Sequence, residues 1–103
     1  MLLKKEKIVI IYYGEECELI ISEEKYLNDR VCILLTTITG EPFCKLTVNI
    51  DEEKIDDNQF FIKNIYPENY IAEQLEKEGL IKRAGRTVGC NYHNNYATLW
   101  EIV

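Results

Sequence analysis

The residues best suited to chemistry lie near the end of the chain, in the stretch GCNYHNNY from Gly89 to Tyr96. This stretch contains the single histidine, and the basic segment KRAGR precedes it at residues 82–86. Because guanidinium groups grip phosphates and aromatic rings stack on bases, the two segments together could bind a phosphate-bearing small molecule such as a signalling nucleotide. The residues of this candidate ligand site are Lys82, Arg83, Arg86, Tyr92, His93 and Tyr96. The alternative interpretation is a surface hairpin with a polar tip.

The sequence offers no catalytic pair and no set of metal ligands. No nucleophile motif, zinc-protease motif or phosphate-binding loop accompanies His93. The cysteines form no CxxC pair, and no second histidine can complete a Cys/His set. Three of them lie in apolar runs, which is typical of reduced core thiols. We therefore predict that the protein is not an enzyme, that it uses no cofactor or metal, and that four thiols are free: Cys17, Cys32, Cys44 and Cys90.

An acidic run at residues 51–57 carries five carboxylates in seven positions. It lacks the glycine that a calcium-binding loop of the EF-hand type needs, so calcium binding is not predicted. A solvated loop is one interpretation. The other is a partner-binding surface whose carboxylates occupy cationic sites meant for phosphates, with nearby tyrosines as energetic anchors. The residues of this candidate surface are Asp51, Glu52, Glu53, Asp56, Asp57, Tyr66 and Tyr70.

Length and charge limit the classes of protein to consider. The chain has 103 residues and a formal net charge of −6. We expect one domain over residues 1–103. The negative charge argues against direct binding of nucleic acid, which requires cationic surface. No signal peptide and no apolar run of membrane-spanning length is visible, so we expect a cytoplasmic protein without membrane contact.

Short apolar segments separated by turns predict an α+β fold, with an antiparallel sheet of about six or seven strands and one helix packed against it. IVIIYY at residues 8–13 is apolar throughout and predicts a strand covered on both faces. FCKLTVNI at residues 43–50 alternates, which predicts a strand with Cys44, Leu46, Val48 and Ile50 inward. The helix is expected over residues 67–78, from Pro67 to a terminating glycine at position 79.

Several segments resemble a small family of unknown function, domain-of-unknown-function family 4313. They are KLTVNI at residues 45–50, FFIKN at 60–64, EGLI at 78–81 and AGRTVG at 84–89. The resemblance covers roughly residues 31–103, and the segment from Cys90 to Asn95 departs from the family pattern. It implies an accessory protein of a phage or mobile element and supplies no active site.

Small accessory proteins of mobile elements often bind host machinery, and anti-CRISPR proteins are one such group. By this analogy, we predict a non-catalytic binding protein in the host cytoplasm that inhibits a defence system by contact with a host protein. Its partner is expected to be a nucleic-acid-binding defence effector. The sponge or sensor for a phosphate-bearing small molecule stays open as the alternative function, and a homodimer with an unrelated role fits the sequence equally well.

Overall fold

The computed structural model describes Leu3, residues 6–89 and residues 95–103. Seven strands and one helix follow one another along the chain: β1 (Lys7–Tyr12), β2 (Glu15–Lys25), β3 (Val31–Thr37), β4 (Pro42–Lys45), β5 (Gln59–Lys63), α1 (Glu68–Lys77), β6 (Ile81–Gly89) and β7 (Tyr96–Ile102). The predicted α+β class, the strand number and the single helix are confirmed for this part of the chain. In it, no helix combines the length and the apolar character that crossing a membrane requires.

The strands form two antiparallel sheets where one was predicted. The four-stranded sheet has the order β1-β2-β3-β4, and the three-stranded sheet has the order β5-β7-β6. The chain passes from the first sheet to the second after Lys45, where β4 ends. Val48 then forms a bridge with Phe61 of the second sheet. The core lies between the sheets and α1, where it includes Ile71, Leu75 and Ile10.

The predicted strand over residues 43–50 is too long, because tertiary bonds redirect its second half. Thr47, which the alternation assigned to the wet face, is buried. Its hydroxyl accepts a hydrogen bond from the Ile33 N–H at 3.2 Å and lies 2.9 Å from the Tyr26 hydroxyl. These bonds satisfy a buried polar group that a regular strand would have turned to solvent.

The prediction that β1 is covered on both faces is wrong. Ile8 and Ile10 are buried against the core, whereas Val9 and Ile11 are 55% and 50% exposed on the opposite face. The strand lies at the edge of its sheet, and α1 packs against one face of it. The uninterrupted apolar sequence of β1 therefore gives this strand an exposed apolar outer face.

The predicted helix is confirmed within one residue at each end. The N–H of Gly79 donates to the carbonyl of Glu76, and the N–H of Leu80 donates to that of Leu75. This pair of bonds is the Schellman pattern, with the glycine at a positive φ of 75° and Leu80 buried behind it. The cap fixes the direction in which the chain enters β6.

Candidate functional site

The two arginines of the predicted ligand site bind within the protein. Arg83 forms an ion pair with Glu76 at 3.3 Å, and its guanidinium lies 4.7 Å from the centre of the Trp100 ring. Arg86 donates to the carbonyl of Lys54 at 2.8 Å and pairs with Glu53 at 3.4 Å. These bonds engage one nitrogen of each guanidinium, and the side chains of Arg83 and Arg86 stay 52% and 42% exposed.

Two of the remaining residues of that site, Lys82 and Tyr96, lie on described strands and are exposed. Lys82 is exposed on β6 and lies opposite Glu101, and Tyr96 is exposed at the start of β7. Tyr92 and His93 lie outside the described residues, as does Cys90. Gly85 has a φ of 81° where the β6–β7 register shifts, which marks a β-bulge of the kind that glycine within a strand favours. The bulge separates the two arginines along the strand.

The acidic run is an anchored loop with exposed carboxylates. The guanidinium of Arg30 donates to the carbonyls of Ile50 and Glu53, the first at 2.7 Å, and Arg86 holds the next carbonyl, that of Lys54. Sequence reasoning missed Arg30, because nothing local indicates that a turn residue reaches a loop twenty positions later. Four of the five carboxylates point to solvent: Asp51, Glu52, Asp56 and Asp57. Within the described chain, no group of three acidic, cysteine or histidine side chains could hold a metal ion.

The structure does not bring the acidic run and the predicted anchors Tyr66 and Tyr70 together. The run contacts the β2–β3 turn through Arg30 and Asn28, beyond the end of β2 at Lys25. Tyr66 instead stacks on Tyr12, which lies opposite the first residue of β2. Eleven strand residues separate the two ends, which is about 33 Å at the usual rise. The predicted surface is therefore two separate surfaces.

Tyrosines from two distant parts of the chain form an aromatic cluster, called here the tyrosine patch: Tyr12, Tyr13, Tyr66 and Tyr70. Tyr12 is at its centre, with ring centroids 4.5 Å from Tyr13 and 6.1 Å from Tyr66, whose ring is nearly parallel to it. Tyr70 stacks on Tyr66 at 6.1 Å, and Phe43 packs edge-on against Tyr12 at 5.0 Å. The patch thus joins the β1–β2 turn, β4 and the start of α1.

The outer rings of the patch are open to solvent. Tyr13 is 80% exposed and Tyr66 is 52% exposed. Tyr70 closes the inner side, because its hydroxyl accepts a hydrogen bond from the Ile11 N–H at 3.3 Å. Tyrosine is enriched among the residues that contribute most of the binding energy in protein interfaces, so an exposed group of tyrosines is a candidate binding surface.

Tyr13 occupies a backbone conformation that its side chain disfavours. Tyr13 and Gly14 form the two-residue loop between β1 and β2, with φ angles of 51° and 81°. Two positive φ angles in such a loop define a type I′ turn, which prefers asparagine or aspartate before glycine. Because Tyr13 is also largely exposed, its structural contacts are limited to the rings of Tyr12 and Tyr66, at 4.5 and 6.4 Å. Residues held in disfavoured backbone conformations are concentrated at functional sites.

Carboxylates flank the tyrosine patch. Glu15 lies opposite Tyr12 in the strand register, Glu16 lies opposite Ile11, and both are exposed. Burial, and after it the carboxylate of Glu68 at the start of α1, raise the pKa of the Cys44 thiol on β4 to about 11. Burial and the adjacent phenol of Tyr13 raise the pKa of Tyr12, so the central ring is neutral at physiological pH. The surface combines neutral aromatic rings with a negative rim.

Comparison with known proteins gives no assignment: no family model, no curated protein and no solved structure matches this chain. The resemblance described from the sequence therefore stays a prediction.

The described cysteines Cys17, Cys32 and Cys44 are free thiols.

Proposed function

We propose that the protein is a non-catalytic binding protein that attaches to a cationic surface of a host protein through the tyrosine patch. The observation that carries the proposal is Tyr13, a largely exposed aromatic residue held at a left-handed turn position. Partner binding gives this residue a role that the isolated fold does not.

The chemistry of the patch favours a partner rich in arginine and lysine. Tyrosine faces attract guanidinium and ammonium groups, and the neighbouring carboxylates Glu15 and Glu16 can pair with them. The formal net charge of −6 would also speed the encounter with a positive surface and make it sensitive to salt. Proteins that bind nucleic acid carry such surfaces.

The partner proposed on these grounds is a nucleic-acid-binding effector of a host defence system, which this protein would inhibit in the manner of an anti-CRISPR. The mobile-element setting comes from the sequence resemblance alone. The sponge or sensor for a phosphate-bearing molecule is the weaker candidate, because Arg83 and Arg86 are already bonded to Glu76, Glu53 and Lys54.

The test is capture of the partner from host lysate, followed by assay of its nuclease activity. The wild-type chain is expected to recover a nucleic-acid-binding protein and to inhibit its cleavage, and Tyr66→Ala is expected to lose both effects. The control carries Glu52→Gln, Asp56→Asn and Asp57→Asn, which remove exposed charges at the opposite end of β2 and leave a formal net charge of −3 (−6 + 3). Asp51 and Glu53 stay unchanged because they bond Asn28 and Arg86.

The control variant separates the two candidate surfaces. If it loses the partner while Tyr66→Ala retains it, the acidic run is the binding surface and the tyrosine patch is not. If the wild type recovers no nucleic-acid-binding protein, the proposed function is wrong. Circular dichroism on each variant excludes unfolding as the reason for a loss.

A further inference from the structure

A polar cavity lies where the chain passes from the first sheet to the second. Its volume is about 310 Å³, and the segment from Lys45 to Asn49 lines one part of it. The rest is lined by Tyr26 after β2, Lys63 at the end of β5 and Glu68 at the start of α1. Small-molecule sites in proteins have volumes of about 300–1,000 Å³, so this cavity suits a ligand the size of an amino acid.

Contacts within the protein orient the groups around the cavity. The Tyr26 hydroxyl donates to the Thr47 carbonyl at 3.1 Å, and the centre of its ring lies 5.8 Å from the ammonium nitrogen of Lys45. The Asn49 amide oxygen accepts a hydrogen bond from the Asn28 amide at 3.3 Å, which leaves the NH₂ group of Asn49 as a donor. Groups that are already oriented reduce the cost of binding a ligand.

The cavity carries positive charge within a protein whose formal net charge is −6. In the part of the chain that the structure describes, neither Lys45 nor Lys63 forms an ion pair. Burial raises the pKa of the Glu68 carboxyl, and the charge of Lys63 is among the effects that oppose this shift. Lys63 and Glu68 are therefore close enough to interact without forming an ion pair. Two positive groups and one negative group thus line the same cavity.

We infer that this cavity binds a small amino dicarboxylate, a molecule that has two carboxylates and one ammonium group. The carboxylates pair with Lys45 and Lys63, and the ammonium group pairs with Glu68. Each charged group of the cavity then has a partner of opposite sign, and no charge of the ligand stays unpaired. A dicarboxylate without the ammonium group would place an anion beside Glu68, and an acid with one carboxylate would leave one lysine unpaired.

A nucleotide fits this cavity less well. Among the described residues that line it, Tyr26 is the one aromatic residue, and the Lys45 ammonium lies over its ring. A base would have to compete with that ammonium in order to stack. A phosphate group also offers no positive charge to Glu68. The cavity shares no residue with the tyrosine patch, so this inference does not depend on the proposed function.

The test is a titration of the purified full chain with L-glutamate and L-aspartate, followed by calorimetry and nuclear magnetic resonance. Binding is expected to saturate with a Kd below about 1 mM and to shift the amide signals of Thr47 and Lys63. Two matched ligands separate the charges, because glutarate lacks the ammonium group and L-glutamine carries a neutral amide in place of the second carboxylate. Each should bind at least about tenfold more weakly than glutamate, since one charge-assisted hydrogen bond is lost.

Substitutions of matched charge locate the site. Lys45→Gln and Lys63→Gln should each weaken glutamate binding by about tenfold or more. Lys82→Gln is the control, because it removes the same charge from an exposed lysine on β6 that does not line the cavity, and it should leave the affinity unchanged. Glu68→Gln should abolish the preference for glutamate over glutarate, which a loss of folding would not do selectively. Circular dichroism checks the fold of each variant.

The inference is wrong if glutamate shows no saturation up to about 10 mM, or if glutarate binds as tightly as glutamate. Tighter binding of inorganic phosphate than of glutamate, or unchanged affinity in both Lys45→Gln and Lys63→Gln, would also overturn it. The titration needs no captured partner. A failed titration therefore removes the ligand site and leaves the tyrosine patch, whereas a failed capture removes the proposed function alone.

Discussion

Replacing Tyr13 by asparagine should separate binding from folding. Asparagine before glycine is the preferred pair for a two-residue loop with two positive φ angles. The left-handed conformation costs an ordinary residue roughly 1–2 kcal/mol, and asparagine avoids much of this cost. Against this gain stands the loss of the ring contacts with Tyr12 and Tyr66, at 4.5 and 6.4 Å.

The two effects nearly cancel in the free energy of unfolding. An aromatic pair contributes about 0.5–1.5 kcal/mol. The value here should lie at the lower end, because Tyr13 is 80% exposed. We expect Tyr13→Asn to change the stability by between 0 and about +1 kcal/mol, which corresponds to a rise in Tm of no more than about 4–8 °C. Thermal and denaturant unfolding of the purified chain measure this change.

The same substitution should strongly weaken attachment to the captured partner. A residue at the centre of an interface contributes about 2 kcal/mol or more, which is roughly a thirtyfold loss of affinity. Tyr96→Thr is the matched control, because Tyr96 is an exposed tyrosine outside the patch. Unchanged affinity in Tyr13→Asn would refute the reasoning, and so would a destabilisation of about 2 kcal/mol, which would give the ring a structural role.

Three further predictions concern the fold that supports the patch. Thr47→Val should destabilise the protein by about 1–3 kcal/mol in denaturant unfolding, because the buried Ile33 N–H loses its acceptor; an unchanged midpoint would contradict the assigned bond. Gly85→Ala should cost about 1–2 kcal/mol by the same assay, since its φ of 81° is left-handed while no atom lies within 4 Å of an added Cβ. Burial raises the pKa of Tyr26 from 10.0 to about 12. The neutral Tyr26 hydroxyl therefore contributes its full stabilisation below pH 10, and this contribution is lost as the pH rises toward 12. The stability of Tyr26→Phe should fall less over this pH range, because phenylalanine has no proton to lose.

Local patterns predicted the elements well, because their causes are local. The helix follows from Pro67, its spaced apolar residues and the glycine at position 79, and the structure places it within one residue of the prediction. The bulge at Gly85 follows from glycine in a strand. These features depend on residues a few positions apart.

The arrangement of the sheets and of the candidate site depends on contacts that sequence spacing does not reveal. Thr47 is held inward by a hydrogen bond with the Tyr26 hydroxyl and one from the Ile33 N–H, and β4 ends before it, at Lys45. Tyr66 was predicted as a binding residue but was grouped with carboxylates that lie at the far end of β2. Its actual neighbour Tyr12 is more than fifty positions away. The one local signal was Tyr13 before glycine, where the turn prefers asparagine.

Site-specific photo-crosslinking tests most directly which end of the molecule contacts the partner. A photoreactive aromatic amino acid at position 13 would lie in the tyrosine patch, and the same amino acid at position 27 would lie in the β2–β3 turn beside the acidic run. Leu27 is fully exposed and Tyr13 is 80% exposed, so both probes are accessible to a partner. We predict a crosslink to the host protein from position 13 and none from position 27. A crosslink from position 27 alone would contradict the assignment of the tyrosine patch as the binding surface.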